Sequence, residues 1–329
     1  MELNQIQKNK IANSAFLVTG GAGFIGSNIV EFLLKTGAGK VRVLDNLSTG
    51  FRKNIQEFES RKEFEFIEGD IRNLQHCLQA CEGMDFVSHQ AALGSVPRSI
   101  DDPVTTNDVN IGGHLNMLIA CRDRKIKCMA YAASSSTYGD SIELPKKEDR
   151  IGKPLSPYAV TKLVNELYAD VFFKTYGVKT IGLRYFNVFG PRQNPYGAYA
   201  AVVPLFMESV LNGTSPFING DGMQTRDFTY VENAVFANIL AMITENPESI
   251  NQVYNIAVGE QISLNQLLEK IKEISGRQNI KAVYREARKG DVRNSLADIS
   301  KATNLLGYKP SVNVTNGIKL TYEFWKSRI

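Results

Sequence analysis

Along its first half the chain alternates between short, nearly continuous apolar runs and longer stretches whose apolar side chains return every three or four positions. The runs at residues 15–19, 41–44, 64–67, 86–88, 128–132 and 180–185 read as strands covered on both faces, and the stretches at 25–33, 74–80, 104–124 and 158–176 read as helices. Strand and helix in strict turn predict an α/β fold, a doubly wound parallel sheet of about seven strands. From about residue 187 glycine, proline and asparagine crowd in and the alternation lapses. Helical periodicity resumes at 202–211, 231–244, 264–275 and 315–326, and 253–256 reads as a strand returning to the main sheet. The pattern divides the chain into a sheet domain, residues 1–187 joined by about 228–258, and a smaller α/β lobe made mostly from 188–329.

In such a sheet ligands gather beyond the carboxyl ends of the strands, so the residues that follow each run carry the chemistry. The first run breaks into Gly20, Gly23 and Gly26, set three apart, before the first helix. Gly20 permits the turn, Gly23 leaves the backbone open to a pyrophosphate, and Gly26 lets helix and strand close together. The pyrophosphate then meets unpaired N–H groups and the positive end of a helix dipole. Asp45 ends the second run, 19 positions after Gly26, where a carboxylate accepts hydrogen bonds from an adenosine ribose. Later strand ends are polar or small as well: 69–71, 91–95, 134–136 and Asn187.

Composition narrows the partners. With 38 basic against 34 acidic side chains and no basic block, neither nucleic acid nor an anionic membrane is indicated. The segment 1–13 lacks a signal-type apolar core and no run reaches the roughly 18 apolar residues of a membrane span, so a cytoplasmic protein is expected. Four cysteines and three histidines without ligand spacing predict reduced thiols and no metal.

Tyr158 and Lys162 stand four apart just after Pro157, on one face of a helical stretch. A phenol with a pKa near 10 is a poor base, but a neighbouring ammonium and a cationic nicotinamide both favour the phenolate. Ser134, Ser135 and Ser136 end the preceding strand and offer hydroxyls to the same substrate oxygen. Together the glycine loop, Asp45, the serines and Tyr158-x-x-x-Lys162 resemble the extended short-chain dehydrogenase/reductases that act on nucleotide sugars. The segments 45–50, 156–162 and 183–192 resemble its UDP-hexose 4-epimerases, and most of all the UDP-N-acetylglucosamine 4-epimerases of surface-polysaccharide pathways; the likeness runs from about residue 15 to the C-terminus.

That resemblance implies a Rossmann-type domain holding NAD, with Gly20, Gly23, Phe24, Ile25, Gly26, Asp45, Asn46, Ser48, Thr49, Gly50, Asp70, Ile71, Ala91, Ala92, Tyr158 and Lys162 around the cofactor. An acid at position 45 repels a 2′-phosphate, which favours NAD over NADP. It further implies Tyr158, Lys162 and Ser134 or Ser135 as catalytic residues. A UDP-sugar is expected against Gly94, Ser95, Ser134, Ser135, Ser136, Asn187, Gln193, Val203, Phe217, Ile218, Asn219, Arg226, Arg288, Asp291 and Ser295, the two arginines clamping the diphosphate and Asp291 holding the nucleotide ribose. A homodimer built on the long helices is implied too. Within the resemblance, UDP-hexuronic acid or UDP-glucose 4-epimerases are alternatives. Sugar-nucleotide 4,6-dehydratases are disfavoured, because they carry an Asp-Glu pair where this chain has Ser135 and Ser136, and a non-catalytic NAD-binding protein has no use for Tyr158 and Lys162.

Overall fold

The computed structural model describes residues 3–196, 200–287 and 292–327. Its centre is a seven-stranded parallel sheet made of β1 (Ala15–Thr19), β2 (Lys40–Asp45), β3 (Phe64–Glu68), β4 (Phe86–His89), β5 (Cys128–Ser134), β6 (Thr180–Tyr185) and the strand Gln252–Ile256. Across the sheet they run β3, β2, β1, β4, β5, β6, then Gln252–Ile256, so the order reverses between β1 and β4 and opens a crevice above their carboxyl ends. All seven apolar runs of the sequence are strands of this sheet. They are continuous rather than alternating because helices cover both faces.

One face is covered by the helices α3 (Leu74–Cys81), α6 (Gly113–Asp123) and α7 (Pro157–Tyr176), packed over Leu17, Val87, Met129 and Tyr131. The other receives α2 (Phe24–Lys35) and the helix Val231–Ile243, in which every residue but Glu232 is buried. A helix apolar all round belongs inside, and this one fills the space between the sheet, α2 and the chain that follows β6. Its last carbonyl, at Ile243, accepts 2.9 Å from Lys10 Nζ on α1 (Gln5–Ala12). That short helix has no counterpart in the sequence reading; its capping box, Asn4 with Gln7, starts it, and the fully buried Ile11 anchors it.

The stretch 104–124 is not one regular helix. It comprises α5 (Pro103–Asn107), a π turn at Asp108–Gly112 and α6, preceded by α4 (Val96–Asp101). Asn110 explains the irregularity: its Oδ1 accepts from Leu93 N at 2.8 Å, and its Nδ2 donates to Leu93 O and Thr161 Oγ1, both at 3.1 Å. An inward-turned polar side chain pinned to the loop after β4 and to α7 takes up the extra residue of a π turn, at the edge of the crevice. Beyond β6 the described residues form three two-stranded pairs and the helices Val202–Leu211, Leu264–Ser275, Ser300–Leu306 and Val314–Lys326.

Candidate active site

A cleft of about 600 Å3 lies above the crevice, lined by the segments that follow β1 to β6. At its floor the chain turns through Gly20, whose φ of +66° suits glycine and whose Cβ position lies 2.7 Å from Ala91 N. Gly26 is closed off just as firmly, its Cβ position 2.2 Å from Gly20 O. The helix α2 begins with Gly23 as its cap, no side-chain oxygen meets its first amides, and Phe24, Ile25 and Gly26 all border the cleft. Uncapped amides at a helix mouth fit a pyrophosphate.

Asp45 sits 8% exposed at the end of β2, accepting from Ala22 N and Leu47 N, each at 2.9 Å. Burial pushes its carboxyl up against those two bonds. Asn46 Nδ2 donates 2.9 Å to Asp70, and the hydrogen bond from Arg72 pulls the Asp70 carboxyl down to about 2. Ser48, Thr49, Gly50, Ile71, Ala91 and Ala92 line the same cleft. Glycine loop, helix mouth and an acid at the second strand end thus form one continuous surface of the size and polarity that a dinucleotide needs.

At the other end stand Tyr158 and Lys162. Ser156 caps α7 through its Oγ, 3.2 Å from Ala159 N, and so fixes Tyr158 on the first turn and Lys162 on the second. Lys162, 3% exposed, donates 2.8 Å to Ala132 O on β5, and its Nζ lies 5.8 Å from the centre of the Tyr158 ring. Burial pushes the ammonium down to about 8. The same burial raises the Tyr158 phenol, and its hydrogen bond to Ser134 opposes that rise. Lys162 is thus bonded to a backbone carbonyl, and burial works against the phenolate that the sequence expects the ammonium and a nicotinamide to favour together.

Of the three serines, Ser134 is the one beside Tyr158; its Oγ also accepts from Ser136 N at 3.1 Å and Ser136 Oγ at 2.9 Å. A second compartment, about 280 Å3, shares Ser134, Ser135 and Asn187 with the main cleft and is bordered by Ser136, Arg226 and Ser295. Asn187 takes a positive φ of 37° and donates from Nδ2 to Asp227 O at 3.1 Å. Gly94, Ser95 and Gln193 lie on the main cleft wall; Ser95 is strained at φ 98°, and Gln193 Oε1 is buried with no partner among the described residues. Asp227, fully buried, accepts from Val258 N, Gly259 N and Ala297 N and thereby ties the compartment's walls together; burial pushes its carboxyl up to about 6.

Four expected contacts stand elsewhere. Val203 and Ile218 are buried in the core, Phe217 stacks beneath Arg285, and Asn219 accepts from Gln224; none of them borders either compartment. The strand Phe217–Asn219 pairs in parallel with Val283–Arg285, which leads into 288–291; Arg288 and Asp291 lie outside the described residues. Sequence reasoning missed Gln90 and Tyr185, both on the main cleft. Tyr185 Oη donates 3.1 Å to Gln90 Oε1 and accepts 2.7 Å from Asn238 Nδ2. Their places, one residue past β4 and the last of β6, obey the strand-end rule that found the others.

The family model described as GDP-mannose 4,6 dehydratase matches residues 17–321. A curated relative, a putative UDP-glucose 4-epimerase of Methanocaldococcus jannaschii, is 38% identical over 314 residues, covering 94% of this chain and 98% of its own. Among solved structures, the UDP-N-acetylglucosamine 4-epimerase of Methanobrevibacter ruminantium M1 in complex with UDP-N-acetylmuramic acid superposes with a TM-score of 0.90 at 38% identity, over 96% of this chain and 99% of that one. The UDP-glucose 4-epimerase of Thermus thermophilus in complex with NAD gives 0.86 at 36%, over 96% and 100%.

Proposed function

Because the chain belongs to the extended short-chain dehydrogenase/reductase family, through the GDP-mannose 4,6 dehydratase model that it matches, we propose that it interconverts UDP-N-acetylhexosamines epimeric at C4. It is an enzyme of the NAD-dependent UDP-sugar 4-epimerase class. One observation carries the finer reading: Ser295, a small residue, borders the compartment that opens from the Ser134–Tyr158 pair. A small wall leaves room for a C2 acetamido group while the sugar turns.

NAD, held by the glycine loop, the mouth of α2 and Asp45, would supply the acceptor for the C4 hydride and its donor on the return. Tyr158 receives the C4 hydroxyl proton, and Ser134 orients that oxygen, since it already shares a hydrogen bond with the phenol. To act as that base Tyr158 must first give up its own phenolic proton, which leaves to the water of the open cleft it lines. Lys162, whose ammonium is pushed down to about 8, is the adjacent group whose charge favours the phenolate once it turns from Ala132 O towards the bound ligands. Arg226 and Asn187, with Arg288 and Asp291 expected alongside, hold the UDP so that the keto sugar rotates and presents its other face. Ser135 and Ser136 offer neither an acid for a departing hydroxyl nor a base for C5, so epimerisation is favoured over dehydration.

Residues 188–329 serve mostly as the UDP-sugar lobe in this reading, and the sheet domain as the NAD site. The exposed apolar residues Ile100, Val104, Val160, Leu167 and Val171 lie on α4, α5 and α7 and make a helix-face homodimer the expected assembly, which a monomeric mass in solution would exclude. The substrate reading is tested by kcat/KM for UDP-GlcNAc and UDP-GalNAc against UDP-glucose and UDP-galactose, in wild type and Ser295→Tyr. The acetylated pair is preferred by wild type and loses more in the variant; equal losses remove Ser295 as the gate.

A further inference from the structure

The compartment beside Ser295 continues outward into an annex of about 330 Å3, and the two share Gly139, Lys146, Leu155 and Val292. Lys146 is only 4% exposed. Its backbone is clamped to the segment just past Ser295, donating 2.7 Å to Leu296 O and accepting 2.9 Å from Asp298 N. Its ammonium donates to the carbonyl of Ser141 and has no carboxylate at ion-pair distance among the described residues. Glu143 acts on it only from beyond ion-pair distance and also faces Arg150 at 3.6 Å, while Asp140 accepts from Lys153 N at 2.7 Å, Asp298 lies 3.9 Å from Lys147 and Glu148 accepts from Asn255 N at 2.8 Å. Lys146 and Arg226 are the charged residues lining the inner compartment, and no carboxylate joins them there among the described residues. Buried charges are ordinarily paired, so a buried ammonium with one neutral acceptor, in the wall of a ligand cavity, is a binding group for an anion. The annex lip is apolar, with Ile142, Leu144 and Leu155 exposed, which suits the carbon frame of a substituent.

We propose that Lys146 is a specificity residue for acidic substrates, receiving a carboxylate carried by the sugar of a UDP-sugar either on the ring or on an ether-linked arm. The inference rests on the reading of this cavity as the UDP-sugar site. Arg226 borders the inner compartment alone, whereas Lys146 borders both it and the annex, so a group reaching from the one into the other passes Lys146. A purely structural Lys146 affects all substrates alike; a specificity residue does not.

The test uses the NAD-loaded enzyme and its Lys146→Met and Lys146→Arg variants. Binding of UDP-GlcNAc, UDP-glucuronate and UDP-N-acetylmuramate is measured by calorimetry, with UDP alone as reference, and turnover of each is followed where it occurs. Lys146→Met should weaken at least one acidic nucleotide about 10- to 100-fold, the range for a lost charge-assisted hydrogen bond, while leaving UDP and UDP-GlcNAc within about twofold; Lys146→Arg should recover most of the loss. Loss confined to the glucuronate places the carboxylate on the ring, and loss confined to the muramate places it on the arm. Equal effects on acidic and neutral nucleotides, or no effect on either acid, overturn the proposal. Should the methionine variant melt several degrees lower, the comparison of Lys146→Arg with Lys146→Gln decides in its place, on the same ratio. A wild type that binds the acids through Lys146 yet does not epimerise UDP-GlcNAc refutes the substrate reading above and leaves this one standing.

Discussion

Two alanine substitutions in the glycine loop, three residues apart, should fail in opposite ways. At Gly26 a new methyl lies 2.2 Å from Gly20 O and 2.8 Å from both Gly20 C and Gly21 Cα. All three are backbone atoms, so no rotamer relieves the overlap and α2 must withdraw by roughly 1 Å to regain van der Waals distance. That helix buries Ile29, Val30 and Leu33 completely, and its retreat loosens the packing along its whole inner face. A destabilisation of about 2–4 kcal/mol follows, at the upper end of overpacking, or roughly 3–6 °C in melting temperature for a chain of this size. At Gly23 the methyl meets only Gly20 O, at 3.1 Å, and the φ of −77° suits any residue. Stability should hold within about 1 kcal/mol. Gly23 borders the cleft at the helix mouth, however, so the methyl stands where the pyrophosphate approaches and NAD affinity should fall about 10-fold or more. Thermal melting of the NAD-free protein and calorimetric titration with NAD separate the two effects. A Gly26→Ala protein that melts with wild type, or a Gly23→Ala protein that binds NAD as wild type does, refutes the reasoning.

Tyr158→Phe should keep NAD and UDP binding and lose about 100-fold or more in kcat, measured by coupled assay; near-normal turnover removes Tyr158 as the base. Arg184 and Glu166 form a buried two-bond pair at 2.9 and 2.7 Å between β6 and α7, so Arg184→Met should cost about 3–5 kcal/mol in urea unfolding by stranding the carboxylate. Lys162 has its folded pKa lowered to about 8 from 10.5, so burial penalises its charged form at neutral pH and that penalty fades as pH rises from 8 towards 10.5. The stability advantage of Lys162→Met over wild type, read by melting temperature in the NAD-free proteins, should therefore shrink between pH 7 and 10; a constant gap contradicts the burial argument.

What was legible in the chain follows from how locally each feature is encoded. Strands such as Val41–Leu44 within β2 and helices such as Leu264–Ser275 announce themselves because burial on two faces or on one stripe leaves a periodic trace. The glycine loop and Asp45 were legible because a backbone position without room for a Cβ, or a strand-end acid, is specified by one residue. The π turn at 108–112 was not, since it depends on Asn110 reaching Leu93 and Thr161, residues distant in sequence. Nor was the state of Tyr158. Spacing puts Lys162 on the same face, but only the structure shows the ammonium bonded to Ala132 O and Ser134 as the serine beside the phenol. Lys146 left no motif at all; its burial emerges only where the segment after Ser295 packs against it, and among the described residues no carboxylate stands at ion-pair distance from it.

The central claim is that Tyr158, Lys162 and Ser134 invert C4 of a UDP-sugar by taking a hydride away and returning it to the same carbon. It is tested most directly by incubating the purified protein with UDP-GlcNAc, UDP-glucose and UDP-glucuronate in D2O and following the sugars by proton NMR. At least one of them should approach an equilibrium with its C4 epimer, with the C4 position still carrying protium and no net reduction of NAD. Deuterium at C4, a 4-keto-6-deoxy product, or no C4 epimer from any of the three contradicts it.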